Sequence, residues 1–164
     1  IPIKKISKKI SQNNWIKSVK IINNYHDTLF VTIEEEIPFG IYVRNGKNIL
    51  FSNNLKILNF ISKDDEFFSK LIKFEGNNSI NQSIIFIDIL SNKFIKLIDK
   101  AIFINNRRWN VLLKNGILLK LPESNIIESL NKYEKIYLNF SNRELNDIES
   151  IDLRIFQKAI IKYD

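Results

Sequence analysis

Two Asn-Gly pairs do most to limit what this chain can fold into. Asn45-Gly46 lies between Phe39 to Arg44 and Asn48 to Ser52, and Asn115-Gly116 lies between Trp109 to Lys114 and Ile117 to Leu121. Tight hairpin turns need backbone conformations that Asn and Gly tolerate best, so each pair predicts two antiparallel neighbours, with a type I′ turn at Asn45-Gly46. The second hairpin extends backward through Ile102 and Ile104, and residues 100–121 read as a meander of three strands joined by tight turns.

Ahead of these hairpins, Ile3, Ile6 and Ile10 recur at helical spacing with Lys between them. Pro2 suits a first turn, and residues 2–13 predict an amphipathic helix. Trp15 to Ile22 is rich in β-formers, Asn23 to Asp27 reads as a turn, and Thr28 to Glu36 alternates with Leu29, Val31 and Ile33 on one face. That pattern predicts a half-buried antiparallel strand. Pro38 interrupts it and marks a boundary between residues 1–36 and 37–164.

Beyond the first hairpin of the second unit, Leu55 to Ile61 predicts a short strand, Asp64 to Lys73 is ambiguous and Glu75 to Asn78 is a loop around Gly76. Ser79 can cap a helix to about Leu90, apolar nearly all round and so expected to be well buried. Pro122 and Glu123 start an amphipathic helix with Ile126, Ile127, Leu130 and Tyr133 to Ile136 on its apolar face and Glu128 paired with Lys132. Asn142 to Asn146 reads as a turn or short helix. Ile148 to Ile155 and Lys158 to Tyr163 predict two closing strands joined by Phe156 and Gln157. The fold class is α+β: a helix on an antiparallel hairpin, then a mainly antiparallel β domain with covering helices.

Composition narrows the chemistry. The 164 residues contain no Met, and the chain is expected to be part of a longer protein. Cys is absent, which excludes disulfides, thiolate nucleophiles and Cys-ligated metals. Apolar runs such as Ile84 to Leu90 fall short of the ~20 residues of a membrane span, so an anchor is expected before Ile1. The net charge of +7 concentrates at Lys4, Lys5, Lys8, Lys9, Lys17 and Lys20, with no acid before Asp27. That run is either one solvated helix face or a contact for phosphate or lipid.

The single His26 sits in a turn and leaves no His cluster. Glu34 to Glu36 and Asp64 to Glu66 point adjacent carboxylates to opposite sides of the backbone and read as solvated acids. The four Gly are not spaced to cradle a phosphate. Arg107, Arg108 and Trp109 with Arg44 are the one basic and aromatic combination, with core packing as the alternative for Trp109. No catalytic residue, metal ligand or cofactor is expected, nor is nucleic acid as a partner.

The closing strand offers a different kind of site. Ala159, Ile160, Ile161 and Tyr163, flanked by Lys158 and Lys162, read as a lightly guarded sheet edge, and an edge presents unpaired N–H and C=O groups to another strand.

Several landmarks fall in a familiar order: Trp15-Ile16 through Val19 and Ile21, the turn into Thr28-Leu29-Phe30-Val31, Glu34-Glu35 before Pro38, Arg107-Arg108-Trp109, Asn115-Gly116, Leu121-Pro122-Glu123, and Ile151-Asp152-Leu153-Arg154. From about Lys8 to the end the chain resembles the FtsQ family of bacterial cell-division proteins, particularly its alphaproteobacterial branch. Residues 52–78 add nothing to the likeness. It departs from the family at His26, where a Pro is usual, and at Gln157-Lys158, where small residues are common.

The resemblance implies the end of a POTRA domain over 1–36 and an FtsQ-type β domain over 37–164, in a single-pass inner-membrane protein with this portion in the periplasm. It implies a non-enzymatic divisome scaffold that takes FtsB and FtsL by strand addition at the last strand, with FtsK, FtsW and FtsI as further candidates. By position, the family's contacts fall on Arg107, Arg154, Ile155, Gln157, Ala159, Ile161 and Tyr163. Arg107 matches a basic residue that pairs with a partner acid, and core packing is the other reading of Ile155 and Tyr163. Two rival readings are a POTRA-bearing outer-membrane assembly protein and a basic domain that binds nucleic acid or anionic membranes.

Overall fold

The computed structural model describes residues 2–24, 28–62, 65–155 and 158–163. His26, Asp64, Phe156 and Gln157, singled out above, lie outside them. The chain opens with helix α1 (Ile3–Ile10), which turns Ile3, Ile6 and Ile10 inward and its lysines outward. Strands β1 (Ile16–Asn23) and β2 (Leu29–Glu35) form a two-stranded antiparallel sheet. Contrary to its alternation, β2 is exposed along both faces after Leu29, because α1 packs on β1 and the described chain supplies nothing to cover the other face.

A nine-stranded sheet follows, built from β3 (Pro38–Arg44), β4 (Lys47–Ser52), β5 (Ile57–Ile61), β6 (Lys73–Glu75), β7 (Ile98–Ile104), β8 (Arg108–Leu113), β9 (Leu118–Lys120), β10 (Ile148–Asp152) and β11 (Ile160–Tyr163). Their order across the sheet is β11-β10-β9-β8-β7-β6-β3-β4-β5. The hairpin-linked pairs are antiparallel as predicted, while β3 with β6, β6 with β7, and β9 with β10 are parallel. Parallel neighbours need long crossovers. Helices α2 (Ser79–Asp88) and α3 (Asn92–Ile95) span one, and α4 (Ile126–Tyr137) and α5 (Asn142–Asn146) span another.

The crossovers cover one face and make the main core. Phe51, Phe74, Ala101, Phe103, Trp109, Val111, Leu119 and Ile151 from the strands meet Phe86, Phe94, Leu130 and Tyr133 from the helices. Trp109 stacks on Phe86 with ring centres 4.6 Å apart and lies 4.6 Å from Phe103, so it is a core residue and no platform for bases. α2 is less buried than its composition suggests, with Ile85 62% exposed and Ile89 also open, because only its Phe86 face meets the sheet. A smaller cluster of Ile41, Leu50 and Leu58 occupies the opposite face under Trp15, Phe68 and Leu71.

Turns follow the sequence with one exchange of roles. Asn45-Gly46 has positive φ at both positions, as a type I′ turn requires, and so does Asn105-Asn106 between β7 and β8. At Asn115-Gly116 only Gly116 is positive, and the Asn115 side chain accepts the N–H of Ile117 instead.

Between the two sheets stands Glu36, 6% exposed, which is buried and not the solvated acid its neighbours suggested. Its N–H donates to the Trp15 carbonyl at 2.9 Å, and its carboxylate accepts from Asn54 Nδ2 at 2.9 Å. Lys56 reaches the carbonyl of Ile16 at 2.9 Å beside it. The turn after β4 thus encloses the carboxylate.

Candidate docking edge

β11 is the outermost strand on its side of the sheet and, among the described residues, pairs with β10 alone, Ile160 opposite Asp152, Ile161 opposite Ile151 and Lys162 opposite Ser150. A bulge at Glu149 shifts the register before Ile148 meets Tyr163. Its side chains divide by pleat. Ala159, Ile161 and Tyr163 share one side, where Ala159 and Ile161 pack against the core and Tyr163, at the strand's end, is 50% exposed, while Ile160 faces the other way at 53%. Ile155, ahead of the strand, is also exposed. Of the candidate residues on this strand, Ala159 and Ile161 can therefore offer a partner backbone groups, and Tyr163 a side chain as well. Lys162 forms an ion pair with Glu149 on the neighbouring strand.

The approach to β11 is held by contacts that local spacing does not reveal. Lys132 on α4 was expected to pair with Glu128. Its Nζ instead lies 3.4 Å from the Ile155 carbonyl and 3.3 Å from that of Lys158. The N–H of Lys158 closes a turn on the Ile155 carbonyl at 3.2 Å. Lys132 is far from both in sequence, so no helical periodicity could have found this clamp.

Arg154 precedes that loop and grips Asp152, Nε donating at 2.8 and 3.0 Å to the two carboxylate oxygens and Nη2 at 2.5 Å to Oδ2. These bonds hold the Asp152 carboxyl below the usual carboxylate range and raise Arg154 further above its own. Arg154, Lys132 and Leu153 line a cavity of about 220 Å³ with Ser124, Asn125 and Glu128 from the start of α4.

Arg107 lies on the other side of the same segment. The Asn105-Asn106 turn presents it, and its Nε is 3.4 Å from Glu123 Oε2. Both side chains are well exposed, and surface ion pairs contribute only about 0 to 1 kcal/mol, so Arg107 can exchange this acid for another at little cost. The structure thus sets Arg107 and Arg154 around residues 122–125. Among the described residues no group of three or more His, Cys, Asp or Glu could hold a metal ion, and no helix is long and apolar enough to cross a membrane.

Comparison with known proteins bears on this arrangement. The family model described as Cell division protein FtsQ/DivIB, C-terminal, matches residues 41–154, well over half of the chain. The chain belongs to the FtsQ/DivIB family. Cell division protein FtsQ of Rickettsia bellii is 30% identical over 96% of the chain and 58% of its own length. That of Rickettsia typhi is 29% identical over 99% and 60%, and that of Rhizobium meliloti 23% over 99% and 52%. The chain therefore spans a little over half the length of these curated FtsQ relatives. These relatives are named cell-division proteins from alphaproteobacteria, and the α+β architecture of the chain agrees with the family. The FtsQ match includes residues 52–78, unrecognised in the sequence, and ends at Arg154, just before the closing loop and strand.

Proposed function

We propose that this chain is a non-enzymatic scaffold of the divisome that captures FtsB, and with it FtsL, by adding a strand to β11, with FtsK, FtsW and FtsI as further candidates. The observation that carries the reading is that β11 is an edge strand with one side unpaired. Strand addition draws affinity from main-chain hydrogen bonds and specificity from side chains beside the edge. Ile155, Gln157 and Tyr163 would supply those side chains, Ala159 and Ile161 the backbone, and Arg107 and Arg154 charges for partner acids. In this reading residues 1–36 are the end of a POTRA domain and residues 37–164 the β domain, of a protein anchored once in the inner membrane with this part in the periplasm.

The test removes Ile160 to Asp164. The truncated chain is expected to keep its circular dichroism spectrum and lose FtsB in a pull-down. Undiminished capture by the folded truncation would refute the reading.

A further inference from the structure

The nine-stranded sheet has a second free edge, and it is the less protected of the two. Among the described residues β5 pairs with β4 on one side alone. Charged residues and Pro usually blunt such edges. Within its span β11 carries Lys162, but Ile57 to Ile61 contains neither charge nor Pro. Exposed apolar groups stand there instead, with Phe60 63% exposed on the strand and Phe67 86% exposed on the short turn that follows it.

The backbone points the same way. Alternate residues of an antiparallel edge strand turn their N–H outward. The N–H of Phe60 donates to the side-chain oxygen of its neighbour Asn59 at 2.9 Å, which marks it as an outward group stopped by a side chain. Beside it Gly46, Lys47 and Asn48 join Phe60 and Ile61 around an open hollow of about 370 Å³. Lys47 and Arg44, paired across the tip of the β3–β4 hairpin, form no ion pair among the described residues.

We propose that β5 is a second docking edge, taking an extended segment of a partner protein that sets an apolar side chain against Phe60 and a carboxylate beside Lys47 and Arg44. A second copy of this chain fits less well. Two β5 strands in antiparallel register would bring the Ile61 end of one, with Lys47, to the Ile57 end of the other, with Lys56. Like charges there oppose pairing. The inference stands independently of β11.

The test uses an end-capped peptide of alternating Thr and Val with Glu at both ends, titrated into the chain and followed by amide hydrogen exchange. Binding is expected to protect residues 57–61 and leave Ile160 to Tyr163 unchanged. The same peptide N-methylated on alternate amides is expected to bind about tenfold or more weakly, since strand addition needs those donors. Phe60→Pro is expected to abolish binding with an unchanged thermal melt, because an edge tolerates Pro where its N–H faces outward. Should Pro perturb the fold, Phe60→Lys serves the same purpose. Asn59→Ala, which removes the stopper, is expected to tighten binding. Equal affinity for the N-methylated peptide, or protection confined to β11, overturns the proposal. So does self-association in sedimentation that Phe60→Pro abolishes, because a second copy would then be the occupant.

Discussion

Asp152 and Arg154, two residues apart, are locked side to side by three hydrogen bonds of 2.5 to 3.0 Å where β10 gives way to the loop before the edge strand. The pair fixes the direction in which the chain leaves the sheet. It also keeps a guanidinium at the rim of the candidate site.

Asp152→Ala is expected to lower global stability by about 1 kcal/mol, since charge-assisted bonds contribute roughly 1.5 to 3 kcal/mol and water screens the partly exposed Arg154. The folded-state pKa of Asp152 is depressed. Its stabilisation is therefore present above the ordinary carboxylate range near pH 4 and lost as pH falls through the depressed value. Urea midpoints of the two proteins should differ at pH 7 and converge in acid; a constant gap would contradict this account.

Glu36→Gln tests the junction between the sheets. Asn54 holds the Glu36 carboxyl below its usual range, with Ser52 and Lys56 adding to the effect. The contribution is present at neutral pH and lost as pH drops below the ordinary Glu range. The variant should melt lower than the parent at pH 7, flatten the acid limb of the melting curve, and expose the segment around Ile37 to limited proteolysis.

Gly76→Ala should be among the most damaging single changes. Gly76 has φ +102°, and an added Cβ would lie 2.2 Å from the Phe103 carbonyl oxygen. Backbone must move at the crossover between β6 and α2, at a cost of about 3 kcal/mol or more. Gly46→Ala, strained in φ but with open space around it, should cost less in the same denaturant titration.

Lys132→Met keeps the stem of the side chain on α4 and removes the cation from the carbonyls of Ile155 and Lys158. Amide exchange in β11 is expected to accelerate while β7 and β8 stay protected. Uniform acceleration across the sheet would show that Lys132 acts on global stability instead.

Arg107→Glu is expected to weaken FtsB capture more than Lys9→Glu does, since Arg107 stands exposed beside Glu123, next to the segment that Arg154 also borders, and Lys9 stands on the outer face of α1. Equal losses in a pull-down titration would indicate diffuse charge attraction and count against Arg107 as a specific contact.

What could be read from the sequence was what neighbouring residues decide. The strands around Asn45-Gly46 and Asn115-Gly116 and the placement of the last strand follow from turn chemistry and periodicity, as does the amphipathic helix expected from Pro122, which begins only at Ile126 because Asn125 turns into the left-handed region. What could not be read depends on partners distant in sequence. β6 is three residues with one core side chain, Phe74, and becomes a strand because β3 and β7 close on both its sides. Glu36 is buried by a turn that begins well after it in the chain, and Lys132 is claimed by carbonyls beyond the next strand. At the candidate edge, composition located the strand, but only the pleat of the sheet told the inward Ile161 from the outward Ile160.

Phe74 also carries a kinetic implication. The hairpins on either side of β6 close between near neighbours and can form early, whereas β6 joins them through parallel pairs that no short loop connects. Pairings that span long stretches of chain are slow to form. The middle strand is therefore secured after the hairpins beside it, and until it is, each half of the sheet shows an open flank to its surroundings.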